Sequence, residues 1–303
     1  MDYFGTLKKA FKLTLKNRFL WIFGLFAGAA GSYAGLNFGP MAGARGGSSS
    51  DSITEEQKVQ IATMVANFVN NNIMWILFAL LIFLLLAVLM FVLNIISQGA
   101  LVEATYKIDK KERTDFWKAF HFGAKEFWRV WGMIILYMLM VFGAGCLVFI
   151  PVATMISMGN IFLAVAWGIL MMTVFAIFMM LIGIVSPYSL RVIVLERLGI
   201  WESIRESLHF VRKNVVSVII MYLLVMGAGL VYSTVLCIGL MLVGGILFAI
   251  GYVVWMASAT VGSIYAILAA TGFCAVLMVF GAIFNSFNSV VLTLTYDQLK
   301  RRA

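Results

Sequence analysis

Ser207-Leu-His-Phe-Val-Arg-Lys-Asn214 closes a basic stretch, and from Asn214 to Tyr296 no charged residue follows. The same succession occurs twice earlier in the chain. Ala119-Phe-His-Phe-Gly-Ala-Lys-Glu126 precedes an uncharged run from Val130 to Leu190, and Ala10-Phe-Lys-Leu-Thr-Leu-Lys-Asn17 precedes an apolar stretch that begins at Phe19. A helix needs only about 20 apolar residues to cross the hydrocarbon core of a bilayer, so each long run has room for more than one crossing. Lipid offers a bare backbone no hydrogen bonds, and these runs lack the alternation of a barrel strand, so helices are the expected spanning structure. The expected fold is all-α: a polytopic membrane protein of about six transmembrane helices, built as three repeats of an amphipathic helix plus a helix pair.

Composition agrees with that class. Across 303 residues, 63% are hydrophobic, 12% are charged and the mean hydropathy is +1.02, far outside the range of soluble domains. Charge placement sets the orientation. All but two of the 22 Lys and Arg fall within residues 8–18, 107–129, 191–213 and 300–302, which the positive-inside rule assigns to the cytosol together with both termini. Arg45 and Lys58 share the polar segment 40–72 with Asp51, Glu55 and Glu56, which reads as an outer loop whose Gly- and Ser-rich part, residues 40–52, is flexible. Ser52-Ile-Thr-Glu55 has the spacing of a capping box, so a helix is expected to start near Ile53 and project outward ahead of the second span.

Spans are expected at 19–38, 73–97, 130–151, 160–186, 215–240 and 262–290. The last uncharged run is longer than two plain spans require, and the excess is assigned to a membrane-apposed connector from about Gly244-Gly245 to Ser263. One integral membrane domain then covers residues 1–303, with repeat units of about 1–106, 107–197 and 198–303. The basic N-terminus followed by Ala27-Gly-Ala-Ala30 also resembles a cleavable signal peptide. Its match to the two later copies favours an uncleaved first span.

Each unit opens with an amphipathic helix. Trp201, Ile204, Leu208, Val211 and Val215 keep a 3-4-3-4 spacing on one face; Phe116, Phe120, Gly123 and Phe127, and Phe4, Leu7, Phe11 and Thr14, repeat it. Such helices are expected to lie in the headgroup plane with the aromatic side toward lipid and the basic side outward. Lys12, Lys16, Lys125, Arg212 and Lys213 are accordingly candidate contacts to anionic lipid, each worth on the order of 1 kcal/mol near the surface.

Polar residues gather at comparable places near the charged ends of the even spans: Ser97-Gln98, Ser186-Pro187-Tyr188-Ser189 and Asn285-Ser286-Phe287-Asn288-Ser289. Polar groups in a span face protein or a cavity, since lipid leaves them unpaired. Ser97, Gln98, Ser186, Ser189, Asn285 and Asn288 are therefore the candidate polar pocket, with interhelical bonding and helix termination at Pro187 as the purely architectural reading.

Other chemistries find little. Glycines at 24, 28, 31, 35 and 39 read as close helix packing or self-association, and Cys146, Cys237 and Cys274 as small buried hydrophobes. Met171-Met172 and Met179-Met180 lack the Cys, His or acidic companions of a metal path, and His121 and His209 occupy interfacial repeat positions where the first copy has Lys12. No P-loop, dinucleotide loop or catalytic constellation stands out, so neither catalysis nor a cofactor is expected.

The mitochondrial-carrier pattern of three helix pairs is excluded by its missing proline signature, since the only prolines are Pro40, Pro151 and Pro187. Leu15-Lys-Asn-Arg-Phe-Leu-Trp-Ile-Phe-Gly-Leu-Phe-Ala27, echoed at residues 125–132 and 213–219, resembles uncharacterised bacterial six-span proteins that include the membrane domain of some glycerophosphoryl diester phosphodiesterases. That resemblance implies a multi-pass protein of the bacterial inner membrane with a lipid-associated role; it covers the membrane domain and not the phosphodiesterase barrel, so no catalytic residue is expected to carry over. The partners expected are membrane lipids, anionic ones above all, with no nucleic acid. The function expected is binding or translocation of a lipid or amphipathic solute; the alternative is a scaffold acting through a membrane-protein partner or self-association.

Overall fold

The computed structural model describes residues 2–29, 55–112 and 114–301. Among them the chain forms nine α-helices and no strand: α1 (Tyr3–Lys16), α2 (Phe19–Ala29), α3 (Glu55–Asp109), α4 (Phe116–Lys125), α5 (Phe127–Ser157), α6 (Ile161–Glu196), α7 (Ile200–Lys213), α8 (Val215–Ala257) and α9 (Ala259–Lys300). Five helices are long and apolar enough to cross a membrane, namely α5, α6 and most of α3, α8 and α9, and α2 is a shorter apolar helix. The protein is an all-α, multi-pass membrane protein. The end of the expected first span, the loop at 40–52 and the capping box at Ser52 lie outside the described residues.

The chain packs as two compact units, Met1–Leu36 with Asn94–Ala303, and Asn37–Leu93. In the second unit the described residues form one unbroken stretch of α3, whose apolar side chains from Leu77 to Leu89 are exposed. The remaining elements belong to the first unit.

Two expectations are corrected by the long helices. The connector assigned to Gly244–Ser263 is helical: α8 runs to Ala257, a single extended residue, Ser258, breaks it, and α9 starts at Ala259. An uncharged, glycine-tolerant sequence has nothing in it to force a loop, so the chain keeps its internal hydrogen bonds to the tip. Nor does α6 stop at Pro187; it continues to Glu196. Proline removes a donor and frees the carbonyl four residues back, here that of Gly183. Tyr222 Oη on α8 donates to that carbonyl at 3.3 Å, with the Ile184 carbonyl at 3.5 Å, so the neighbouring helix repairs the break. At the other end of this hairpin, Gly159 at φ +77° makes the turn from α5 to α6 that a side chain would strain.

The short helices stop where the sequence motif ends. Asn17 bonds the Leu13 carbonyl through both its backbone N–H (3.1 Å) and its side-chain amide (3.0 Å). Asn214 does the same to the Phe210 carbonyl, at 3.1 Å from each group. In the middle copy Glu126 takes this place, and its carboxylate pairs with Arg129 at 3.0 Å. Each final residue therefore closes an amphipathic helix just before a long apolar helix begins.

The faces that α1, α4 and α7 bury against the protein lie apart from their most exposed aromatic residues. They are lined chiefly by small residues: Thr6, Ala10 and Thr14; Ala119 and Gly123; Ser203 and Ser207, joined in α7 by Ile204 and Phe210. Several aromatic residues of the expected stripes point away from the protein, with Phe4 75%, Phe11 56% and Trp201 70% exposed. Small side chains at four-residue spacing let two helix backbones approach closely, whereas large aromatic rings hold them apart. At Gly123 an added Cβ would stand 2.3 Å from the Ile96 carbonyl oxygen of α3. The same logic governs α2, where a Cβ on Gly24 would stand 2.1 Å from Ser286 Oγ and 2.3 Å from the Ala282 carbonyl oxygen of α9.

Three apolar clusters result. One joins α1, α2, α3, α4, α8 and α9 through residues such as Leu20, Phe23, Leu101, Met221 and Val291. A second joins α3, α5, α6 and α7 through Ile95, Val130, Tyr137 and Ile193, and a third joins α6, α7, α8 and α9 through Tyr188, Phe210, Val218 and Tyr296. Ion pairs close the charge-bearing ends: Lys9 with Asp109, and Lys300 with Glu196, which also accepts from the Tyr296 hydroxyl.

Candidate binding site

Where α3, α5, α6 and α9 converge near their charged ends, with α2 at one edge, they enclose a cavity of about 100 Å³. Gln98, Ser186, Asn285 and Asn288 line it, together with Ser289 and Arg191. Leu101, Met133, Ile134, Leu190 and Leu292 form its apolar wall. The space is large enough for several waters or one compact polar group.

Four of the six expected pocket residues thus share one cavity although they come from three separate stretches of chain. Ser189 lies just outside its lining, fully buried, where its Oγ meets Tyr137 Oη at 2.7 Å and donates to the Val185 carbonyl at 3.2 Å. Ser97 is buried and is not among the lining residues. Ser286, between the two asparagines, bonds the Leu20 carbonyl at 2.8 Å and so fastens α9 to α2.

The amides are held in place by neighbours. Asn94 Nδ2 donates to the Phe26 carbonyl at 2.7 Å and the Ala27 carbonyl at 3.0 Å, and its Oδ1 accepts from Gln98 Nε2 at 2.9 Å. One turn of α3 therefore orients the Gln98 side chain while tying α3 to α2. Asn285 packs against Gly28, whose added Cβ would fall 1.8 Å from Asn285 Nδ2.

Arg191 is the residue that sequence reasoning misplaced. Counted with the solvated basic cluster 191–213, it is 3% exposed and lines the cavity. Its Nη1 donates to the Pro187 carbonyl one turn back; its Nη2 lies 3.2 Å from the Ser289 carbonyl oxygen and 3.4 Å from Ser289 Oγ. Its Nε has no partner, and among the described residues no carboxylate forms an ion pair with it. The available signal was its position: Arg191 directly follows a long uncharged run and sits one turn beyond Pro187, two residues past the polar Ser186–Ser189 segment.

The expected anionic-lipid contacts lie elsewhere. Lys12 and Lys16 on α1, Lys125 on α4, and Arg212 and Lys213 on α7 are all exposed and none lines the cavity. His121 and His209 are likewise exposed. The cysteines depart from expectation, because Cys237 and Cys274 are exposed and Cys146 is half-buried. Their thiols sit on apolar helix surface that lipid can cover without a protein neighbour. Among the described residues no cluster of His, Cys, Asp or Glu could hold a metal ion.

Compared with models of protein families, with curated protein sequences and with solved structures, the chain finds no match.

Proposed function

We propose that this is a non-catalytic integral membrane protein that binds a lipid or amphipathic solute in the cavity between α3, α5, α6 and α9, in a bacterial inner membrane with both termini cytosolic. The observation that carries the reading is the cavity itself: Gln98, Ser186, Asn285 and Asn288 present neutral polar groups beside a wall of leucine, isoleucine and methionine. Such a lining suits a molecule with a polar head and an apolar body. The orientation rests on the distribution of Lys and Arg, which crowds them at one set of helix ends. The resemblance of residues 15–27 to the membrane domain of glycerophosphoryl diester phosphodiesterases points toward lipid in the same way. Exposed aromatic and basic side chains on α1, α4 and α7, among them Phe4, Trp117, Trp201, Lys12 and Lys125, suit these helices to the headgroup layer around the site.

The test is lipidomic. Protein purified in mild detergent is expected to retain a defined amphiphile, and Gln98→Leu with Asn288→Leu, which keep the size of the cavity wall and remove its polar groups, should strip it. A retained lipid profile identical in wild type and double variant would defeat the proposal.

A further inference from the structure

Building on the amphiphile-binding reading above, we infer that the cavity is an anion site in which Arg191 recognises a phosphodiester group. A guanidinium stays protonated under all ordinary conditions, so burying Arg191 places a full positive charge inside the protein. Its bonds to the Pro187 carbonyl and to Ser289 satisfy some donors but supply no negative charge. Buried charges are compensated by an opposite charge or a ligand, and among the described residues no acid provides one. One donor of the guanidinium, Nε, is left without a partner. A singly charged group with several oxygens is the complement: it balances one guanidinium and accepts further bonds from the amides of Asn285, Asn288 and Gln98.

Depth selects a phosphodiester. About 40 Å of helix separates Ser186 from the start of α6 at Ile161, and about 40 Å separates Asn288 from the start of α9 at Ala259. That length matches the roughly 40–45 Å from one headgroup layer to the other, so hairpin tips at one face put the cavity at the headgroup level of the opposite face. Phosphodiesters of membrane lipids lie at that level. The helix segments leading away from the cavity toward the tips carry exposed Met180, Leu181, Met278 and Phe280, an apolar surface of the kind acyl chains cover.

Two substitutions probe the charge without emptying the cavity. Arg191→Met removes it; Asn288→Asp keeps Arg191 and adds a carboxylate next to Ser289, so that the site neutralises itself and repels a second anion. Purified protein is equilibrated with an equimolar mixture of phosphatidylglycerol, phosphatidylcholine and diacylglycerol, and retained lipid is quantified by mass spectrometry. In parallel, thermal midpoints are measured with inorganic phosphate or glycerol phosphate. Wild type should retain the phospholipids over diacylglycerol, and both variants should lose that preference by about tenfold or more, as the removal of a charge-assisted contact predicts. Phospholipid retention that Asn288→Asp leaves unchanged in a folded protein overturns the anion site while leaving amphiphile binding intact. Stabilisation of wild type but not Asn288→Asp by inorganic phosphate, with no lipid retained, upholds the anion site and overturns the amphiphile reading. Neither response from wild type overturns both.

Discussion

Along α9 a single continuous helix meets two surroundings. From Ala282 to Leu299 the helix buries Phe287, Val290, Val291, Leu292, Leu294 and Tyr296 against its neighbours. From Val261 to Phe280 its large apolar side chains, Ile264, Ile267, Leu268, Met278 and Val279 among them, stay exposed. Helix α6 divides in the same way, with Val185–Val194 buried and Phe162–Leu181 largely exposed. The exposed halves are almost wholly apolar, whereas the packed halves carry the polar residues, Ser186, Ser189 and Arg191 in α6 and Asn285, Ser286, Asn288 and Ser289 in α9. The packed halves also have the company of α1, α4 and α7, whose small-residue faces reach only the charged ends. In a membrane, lipid tails cover leucine as well as protein does, so a helix packs only where backbones come close or polar groups bond.

That contrast breaks most visibly by mutation of the packed half. Ile193→Ala, at a fully buried position, should cost about 2–5 kcal/mol and lower the thermal midpoint in detergent sharply, while Leu268→Ala, in the exposed half of α9, should cost less than about 0.5 kcal/mol and leave the midpoint nearly unchanged. Equal effects would mean that the exposed half is packed in the native protein, by a second copy or another chain.

Close approach comes next in size. Gly24→Ala should destabilise by about 1–3 kcal/mol, because the new methyl group meets the Ala282 carbonyl of α9, whereas Gly272→Ala, with open space around it, should leave stability unchanged or raise it slightly. Chemical denaturation in mixed micelles compares the pair directly.

Smaller still is the repair at Pro187. Tyr222→Phe removes the hydroxyl that serves the Gly183 carbonyl and should cost on the order of 1 kcal/mol, with faster hydrogen exchange confined to α6. Exchange that rises evenly over all helices would show that the bond has no local role. The smallest effect on stability belongs to the outward aromatic residues. Trp201→Ala should change stability by less than about 0.5 kcal/mol yet weaken association of an isolated α7 peptide with anionic vesicles, measured by an attached fluorescent label or by sedimentation.

Much of the architecture was legible in residue order. Three basic octads, each followed by an apolar stretch, mark the starts of α2, α5 and α8 to within a few residues, because the free energy of placing charge or apolar surface in lipid is summed locally along the chain. Gln98, Ser186, Asn285 and Asn288 were recognisable as polar residues stranded at the ends of apolar runs, and the structure gathers them around one cavity. Ser97 and Ser189 carried the same signal but do not line the cavity, since neighbouring positions on a helix point 100° apart and only packing says which faces meet.

The sequence by itself determined the medium and the secondary structure: uncharged runs too long for water and too uniform for strands had to become membrane helices. Tertiary structure alone decided which side of α1, α4 and α7 is buried, that α6 passes through Pro187, and that Arg191 turns inward. Those outcomes depend on where a neighbouring helix can come close enough to bond, as Tyr222 does to Gly183 and Ser289 to Arg191, and such proximity is a property of the packed whole.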